Sequence, residues 1–195
     1  MATKIDDERL NVRIGDAAVP GAVAGDQDEG SALVLTSEQV WQALAKASFA
    51  VLSYVTPRGE PRSSGVVYKT VGRHLYVVVA AESWKAKHVV ASGRVAVTVP
   101  VRRGGILSLV VPIPPATISL HGTAIVHVAD SPRLHPLLEE LKSLLPPDRR
   151  ASGSVIEIVP EGTFVTYGVG VSLMNMRDPA AAGGRVSVTQ GRSTG

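Results

Sequence analysis

A serine, two lysines and a histidine crowd into Glu82-Ser-Trp-Lys-Ala-Lys-His88, directly after an apolar stretch. Ser83 has the form of a helix N-cap, which puts Lys85 and Lys87 in the first turn. There the helix dipole disfavours each cation by about 0.3–1 kcal/mol. An anion would reverse that cost. A helix start offers unsatisfied N–H groups, Ser83 a hydroxyl donor and the lysines charge-assisted donors, so all could converge on a phosphate. A solvated face with two exposed lysines has the same spacing, and spacing alone leaves both readings open.

Other chemistry finds little support. The chain has no cysteine, which excludes disulfides, thiolate metal sites and cysteine nucleophiles. His74, His88, His121, His127 and His135 show no H-E-x-x-H spacing, so no metal site is expected. His121 and His127 share strand parity with Thr117, Ser119 and Thr123, which predicts a half-solvated polar face. His88, one turn after Trp84, is placed to meet a ligand held at the helix start. No G-x-S-x-G elbow occurs, and Arg102-Arg-Gly-Gly105 lacks the strand and helix of a P-loop. No catalytic acid–base group is assigned.

The 195 residues suit one domain with a single core. Aromatic content is only 4%, so the core must be built from the abundant Val and Ala, as a β-branched sheet would be. The net charge of +3 comes without a basic run or aromatic–basic alternation, and no nucleic-acid partner is expected. The longest apolar run, Ile106 to Ile113, contains Ser108 and Pro112 and falls far short of a membrane span. The first residues carry acids and no apolar core, so no signal peptide is expected; with no cysteine, the expectation is a cytoplasmic protein.

Residues 1–31 read as a loosely ordered arm, 32–170 as the folded domain and 171–195 as a polar, Gly-rich tail. Thr36-Ser-Glu-Gln39 is a capping box opening a helix to about Ala47, with Val40, Trp41 and Leu44 on one face. Strands are predicted over 49–55, 62–70, 74–80, 94–101 and 117–128, with a final hairpin of 154–160 and 163–169 turning at Glu161-Gly162. The strand 74–80 is apolar on both faces, so both must be covered. A helix follows Ser83 to about Gly93, and another is predicted over 132–145. The stretch 102–116 reads as a long excursion. The fold expected is mainly β: a small closed barrel with flanking helices.

The segment Leu75 to Val99 resembles the pyridoxamine 5′-phosphate oxidase-like, FMN-binding split-barrel family, which includes F420-dependent reductases. An apolar strand (75–79), Glu82, Ser83-Trp84-Lys85-Ala86-Lys87, then Ser92-Gly93-Arg94 and a further strand carry the likeness. Ser63-Ser-Gly-Val-Val-Tyr-Lys69 resembles the family's other cofactor-contacting strand. The resemblance implies a homodimeric split barrel with cofactor sites at the subunit interface, the strand 74–80 having one face in the barrel and one against the partner. It implies cofactor contacts at Arg62, Ser63, Ser64, Gly65, Val66, Val67 and Lys69, and at Ser83, Trp84, Lys85, Lys87 and His88. Trp84 stands where oxidases carry an arginine, Ser64 replaces another, and Val79 replaces a threonine. Those lost contacts, with the Arg-over-Lys bias of a GC-rich genome, favour F420 over FMN as cofactor. The implied activity is hydride transfer between the reduced (deaza)flavin and a small organic substrate. The alternative is a non-enzymatic carrier or sequestering protein for F420, FMN or haem. Met174, Met176 and Arg177 are candidates to fold over the site.

Overall fold

The computed structural model describes residues 35–102, 115–144, 153–172, 176 and 178–189. The expected arm 1–31, most of the excursion at 102–116, Leu145, Met174 and Arg177 lie outside the described residues. The elements are α1 (Ser37–Lys46), β1 (Phe49–Val55), β2 (Pro61–Val71), β3 (His74–Ala80), α2 (Trp84–Ser92), β4 (Arg94–Val101) and β5 (Ala116–Val128). After β5 come a 3-10 turn (Pro132–Leu137), α3 (Leu138–Leu141), β6 (Gly153–Tyr167), α4 (Pro179–Ala182) and β7 (Gly183–Ser187).

Antiparallel pairing runs β3-β2-β1-β4-β5-β6, and β3 pairs with β6 to close a six-stranded barrel. Strand alternation fills it: Leu52, Leu75, Val77, Val97, Val99, Ile118, Ile156 and Ile158 are buried in one cluster. The two main helices plug opposite ends. At the end where β1 begins, Val40, Trp41 and Leu44 of α1 enter the core, and Trp41 meets Phe164 edge to face at 5.3 Å. The Thr36–Gln39 capping box is formed as expected. At the end where β1 finishes, α2 buries Ala86 and Val89 and stops at Gly93, whose φ of +62° suits glycine.

Three expectations are corrected. First, residues 154–169 do not form a hairpin. Gly162 does take φ +67°, but as a bulge inside the single strand β6. From Glu161 to Val165 β6 advances four residues while its β5 partners run only from His121 to Ser119, and the ladder resumes on both sides. The bent second half of β6 then pairs with β7, drawn from what had read as tail. Second, the helix expected over 132–145 shortens to the 3-10 turn and α3, because Pro136 interrupts it. Third, the outward face of β3 is covered by this same segment: Tyr76 and Val155 pack with Leu134 and Leu141.

Beneath that cover lies a charge the sequence reading missed. Glu157 is 4% exposed. Its carboxylate accepts from His74 Nδ1–H at 2.7 Å, His127 Nε2–H at 2.7 Å and the Tyr76 hydroxyl at 3.2 Å, with Arg133 Nε at 3.8 Å. His127 is therefore a buried partner and not part of a solvated face; His121 is exposed. Burial pushes the Glu157 carboxyl up, but the hydrogen bonds and charges of His127 and His74 outweigh it and hold the group below the ordinary value of 4.5. Burial, followed by the Glu157 charge, pushes Tyr76 up to about 12.

A carboxyl held low contributes stability above its ordinary value and loses it as pH falls through the depressed one. Glu157→Gln should cost about 1–3 kcal/mol at pH 7, since an amide donor then faces a donor. Denaturant melts should also show a shallower loss of stability between about pH 5 and 3 than in the wild type. Equal pH profiles would contradict the account.

Candidate functional site along the open edge of β2

The residues expected to bind a cofactor fall into two groups, one on β2 and one on α2. Register separates the first group by face. Tyr54 lies opposite Arg62, Leu52 opposite Ser64 and Ala50 opposite Val66, so these β2 residues share the barrel-facing side. Val66 is buried in the core and offers no side chain to a ligand. Ser63, Gly65, Val67 and Lys69 face outward; Val67 is 56% exposed, and Ser63 Oγ is tied to Ser53 Oγ at 2.8 Å.

β2 and β3 pair only from Tyr68↔Val77 to Val71↔His74. Beyond Val77, β3 continues against β6 alone, as far as Ala80. The Tyr68 N–H donates to Ser48 on the β1 side, so alternate residues 62, 64 and 66 also direct their backbone groups to β1. The N–H and C=O groups of Ser63 and Gly65 and the N–H of Val67 point the other way, where no described strand pairs with them; the Val67 C=O is taken up by the last step of the β2–β3 ladder. This open edge runs roughly 17 Å from Arg62 to Val67.

At the Arg62 end stands α2. The Tyr54 ring lies 5.8 Å from the His88 ring, linking the helix to the β1–β2 pair. Ser83 caps the helix by accepting from Ala86 N–H at 3.2 Å, which leaves its own proton free to donate. The two lysines differ. Lys87 pairs with Glu82 at 2.8 Å and sits 5.4 Å from the centre of the Trp84 ring. Lys85 is half-buried and has no ion-pair partner among the described residues, and burial holds its ammonium below the ordinary 10.5. The opposed dipole of the sequence is thus relieved by Glu82 at Lys87 and left standing at Lys85. Trp84 is 73% exposed.

Two buried polar atoms, Ser64 Oγ and His88 Nδ1, have no hydrogen-bond partner. Beside the Arg62 end a cavity of about 400 Å³ is lined by Tyr54, Arg62, Ser63, Arg94 and His121. Arg62 is engaged by Glu60 at 2.7 Å and Arg94 by Glu161 at 3.3 Å. Tyr54, Glu82 and Phe49 were missed by the sequence reading. Glu82, next to the cap, was visible as an acid near Lys87; the other two emerge only once strand register is known. Met176 is engaged elsewhere, its carbonyl accepting from the Tyr167 hydroxyl at 3.0 Å. Among the described residues no group of three or more His, Asp or Glu could hold a metal, and no helix is long and apolar enough to cross a membrane.

No family model and no curated protein matches the chain. Solved structures do. A FAD-binding protein from Mesorhizobium loti is 18% identical over 65% of this chain and 89% of its own, at a TM-score of 0.52. The haem storage protein HutZ from Vibrio cholerae is 12% identical over 67% of this chain and 94% of its own, at 0.54. A haem-binding protein from Mycobacterium smegmatis is 15% identical over 68% of this chain but only 53% of its own, at 0.55. The fold is the split barrel. At these identities the likeness is one of fold.

Lys85 and the Ser83 hydroxyl stand at the start of α2, where a helix can favour an anion. In an NMR titration followed at its side-chain carbon, Lys85 should lose its proton below 10.5, and inorganic phosphate should raise that midpoint. A midpoint indifferent to phosphate would contradict an anion site here.

Proposed function

We propose that the chain is a (deaza)flavin-binding oxidoreductase, with F420 favoured over FMN, that transfers a hydride between the reduced cofactor and a small organic substrate in the cytoplasm. The observation that carries the reading is the open edge of β2, which leads from an unpaired, half-buried lysine at a helix start to exposed apolar side chains. The residues fit such a group. Ser83 and Lys85 would hold its phosphate, with Lys87 a lesser contact because Glu82 already engages it. The free backbone groups of Ser63 and Gly65 and the Val67 N–H would meet the polar rim of a ring. Ser64 Oγ and His88 Nδ1 are further groups in need of partners. Phe49 and Val67, 49% and 56% exposed, would shield the ring from water. When bound, the reduced cofactor supplies the hydride, so the protein's part is to bind, orient and exclude water.

The proposal includes a homodimer. Phe49 and Val67, paired across β1 and β2 and both exposed, offer an apolar spot beside the open edge that a second copy could cover. A carrier for the same cofactors, or for haem, is the second reading. It is supported by the haem-binding and haem-storing proteins among those that share the fold. Turnover separates the two, since only an enzyme would speed reoxidation of the reduced cofactor by an acceptor.

Parallel fluorescence titrations with F420 and FMN test the binding. Lys85→Ala should weaken the bound cofactor about tenfold or more, the worth of a charge-assisted hydrogen bond, while Lys87→Ala should change affinity less than about threefold. Failure of the wild type to bind either cofactor, or wild-type affinity in Lys85→Ala, would overturn the proposal.

A further inference from the structure

At the barrel end opposite α2, a cavity of about 900 Å³ opens between the last turn of α1, the start of β1 and the end of β4. Small-molecule sites commonly have this size, with apolar walls and a few directed polar groups. Here Phe49 and Val101 supply apolar wall, Gln39 and Gln42 amides, and Lys46 and Arg102 charge. Among the described residues no carboxylate lines it. Neither Lys46 nor Arg102 has an ion-pair partner among the described residues. Lys46, in the last turn of α1, suits the negative end of its helix; Arg102, beyond the end of β4, has no such role. Two cations from different elements thus line one cavity, with nothing of opposite sign among its described lining.

Phe49 is the wall this cavity shares with the open edge of β2. It lies opposite Val67 in the ladder, and a Cβ on Gly65 would come within 3.0 Å of its ring. Gly65 therefore gives the ring room to lie flat between the two. The charge pattern differs from that at α2: two separate single cations with amide donors, and no capped helix start. That set, beside the apolar wall of Phe49 and Val101, matches a carboxylate on a flat apolar body, whose two oxygens a guanidinium can fork onto.

We infer that the cavity is a binding site for a small aromatic or conjugated carboxylate, held by Arg102 and Lys46 and stacked on Phe49. Binding itself needs no cofactor. Its service as the substrate chamber rests on the hydride-transfer reading, because Phe49 lines this cavity and also lies beside Gly65 and Val67 of the edge where the ring would lie.

Calorimetric titration of the full chain with 2-naphthoate and its neutral counterpart 2-naphthamide tests the inference. The wild type should bind naphthoate saturably and about tenfold or more tighter than the amide, and Lys46→Gln/Arg102→Gln should close that gap without changing amide affinity more than about threefold. Thermal melts check that the double variant is folded; if it is not, each single variant should narrow the gap by about threefold. Absence of saturable naphthoate binding, equal affinity for the amide in the wild type, or an undiminished gap in the folded variants would overturn the site. Titrating the wild type with F420 and FMN as well keeps the two proposals apart. If naphthoate binding follows Lys46 and Arg102 while neither cofactor binds the wild type, the site stands, and its assignment as a substrate chamber fails with the hydride-transfer reading.

Discussion

A β-strand has two edges, and β3 divides them unequally. It pairs with β6 along nearly its whole length but with β2 only as far as Val77, and much else follows from that division. Pairing with β6 closes the barrel and buries Leu75 and Val77. Leaving β2 exposes the backbone of Ser63, Gly65 and Val67 and carries the chain through Glu82 and Ser83 into α2 at the end of the same edge. Unpaired backbone groups in a small sheet protein are a liability, open to edge-to-edge association, unless something covers them. A bound ring or a second subunit would supply that cover.

The division has to be held in place, and the outside of the barrel is where that occurs. Tyr76 and His74 on β3, His127 on β5 and Glu157 on β6 share one buried hydrogen-bonded group, tying the strands on either side of β6 to it. The segment from Pro132 to Leu141 seals the group with Leu134 and Leu141 and brings Arg133 over the carboxylate. A buried charge tolerates little displacement, because separating it from its donors leaves it desolvated and unpaired. The hub therefore keeps β3 on β6 along the stretch, from His74 to Tyr76, just before β3 parts from β2.

Much of this was legible in the sequence because it is local. The capping box at Thr36, the Ser83 cap, the glycine ending α2 and the alternation of the first five strands all depend on neighbours within a few residues. What escaped depended on pairing. Gly162 signals a left-handed residue, but only the β5 partners decide between a turn and a bulge. The double apolar face of β3 signals two covers, but not that one is supplied from 132–141. His127 looks solvated by parity until that cover is in place. At the site, Lys85 and Lys87 look equivalent in the sequence and become different through Glu82, and the run Arg62 to Val67 divides between two faces as soon as its strand pairs. The contiguous strip of site residues expected from resemblance becomes a free backbone edge with the half-buried Lys85 on the helix at its end.

The central claim is that a (deaza)flavin lies along the free edge of β2, and residue-resolved amide exchange with and without cofactor tests it most directly. Without ligand, Ser63, Gly65 and Val67 should exchange quickly and Ser64 and Val66 slowly, following the one-sided ladder. On adding F420 or FMN, exchange at Ser63, Gly65 and Val67 should slow while Ser64 and Val66 stay unchanged. Saturation by the cofactor with no slowing at those three amides would contradict the account.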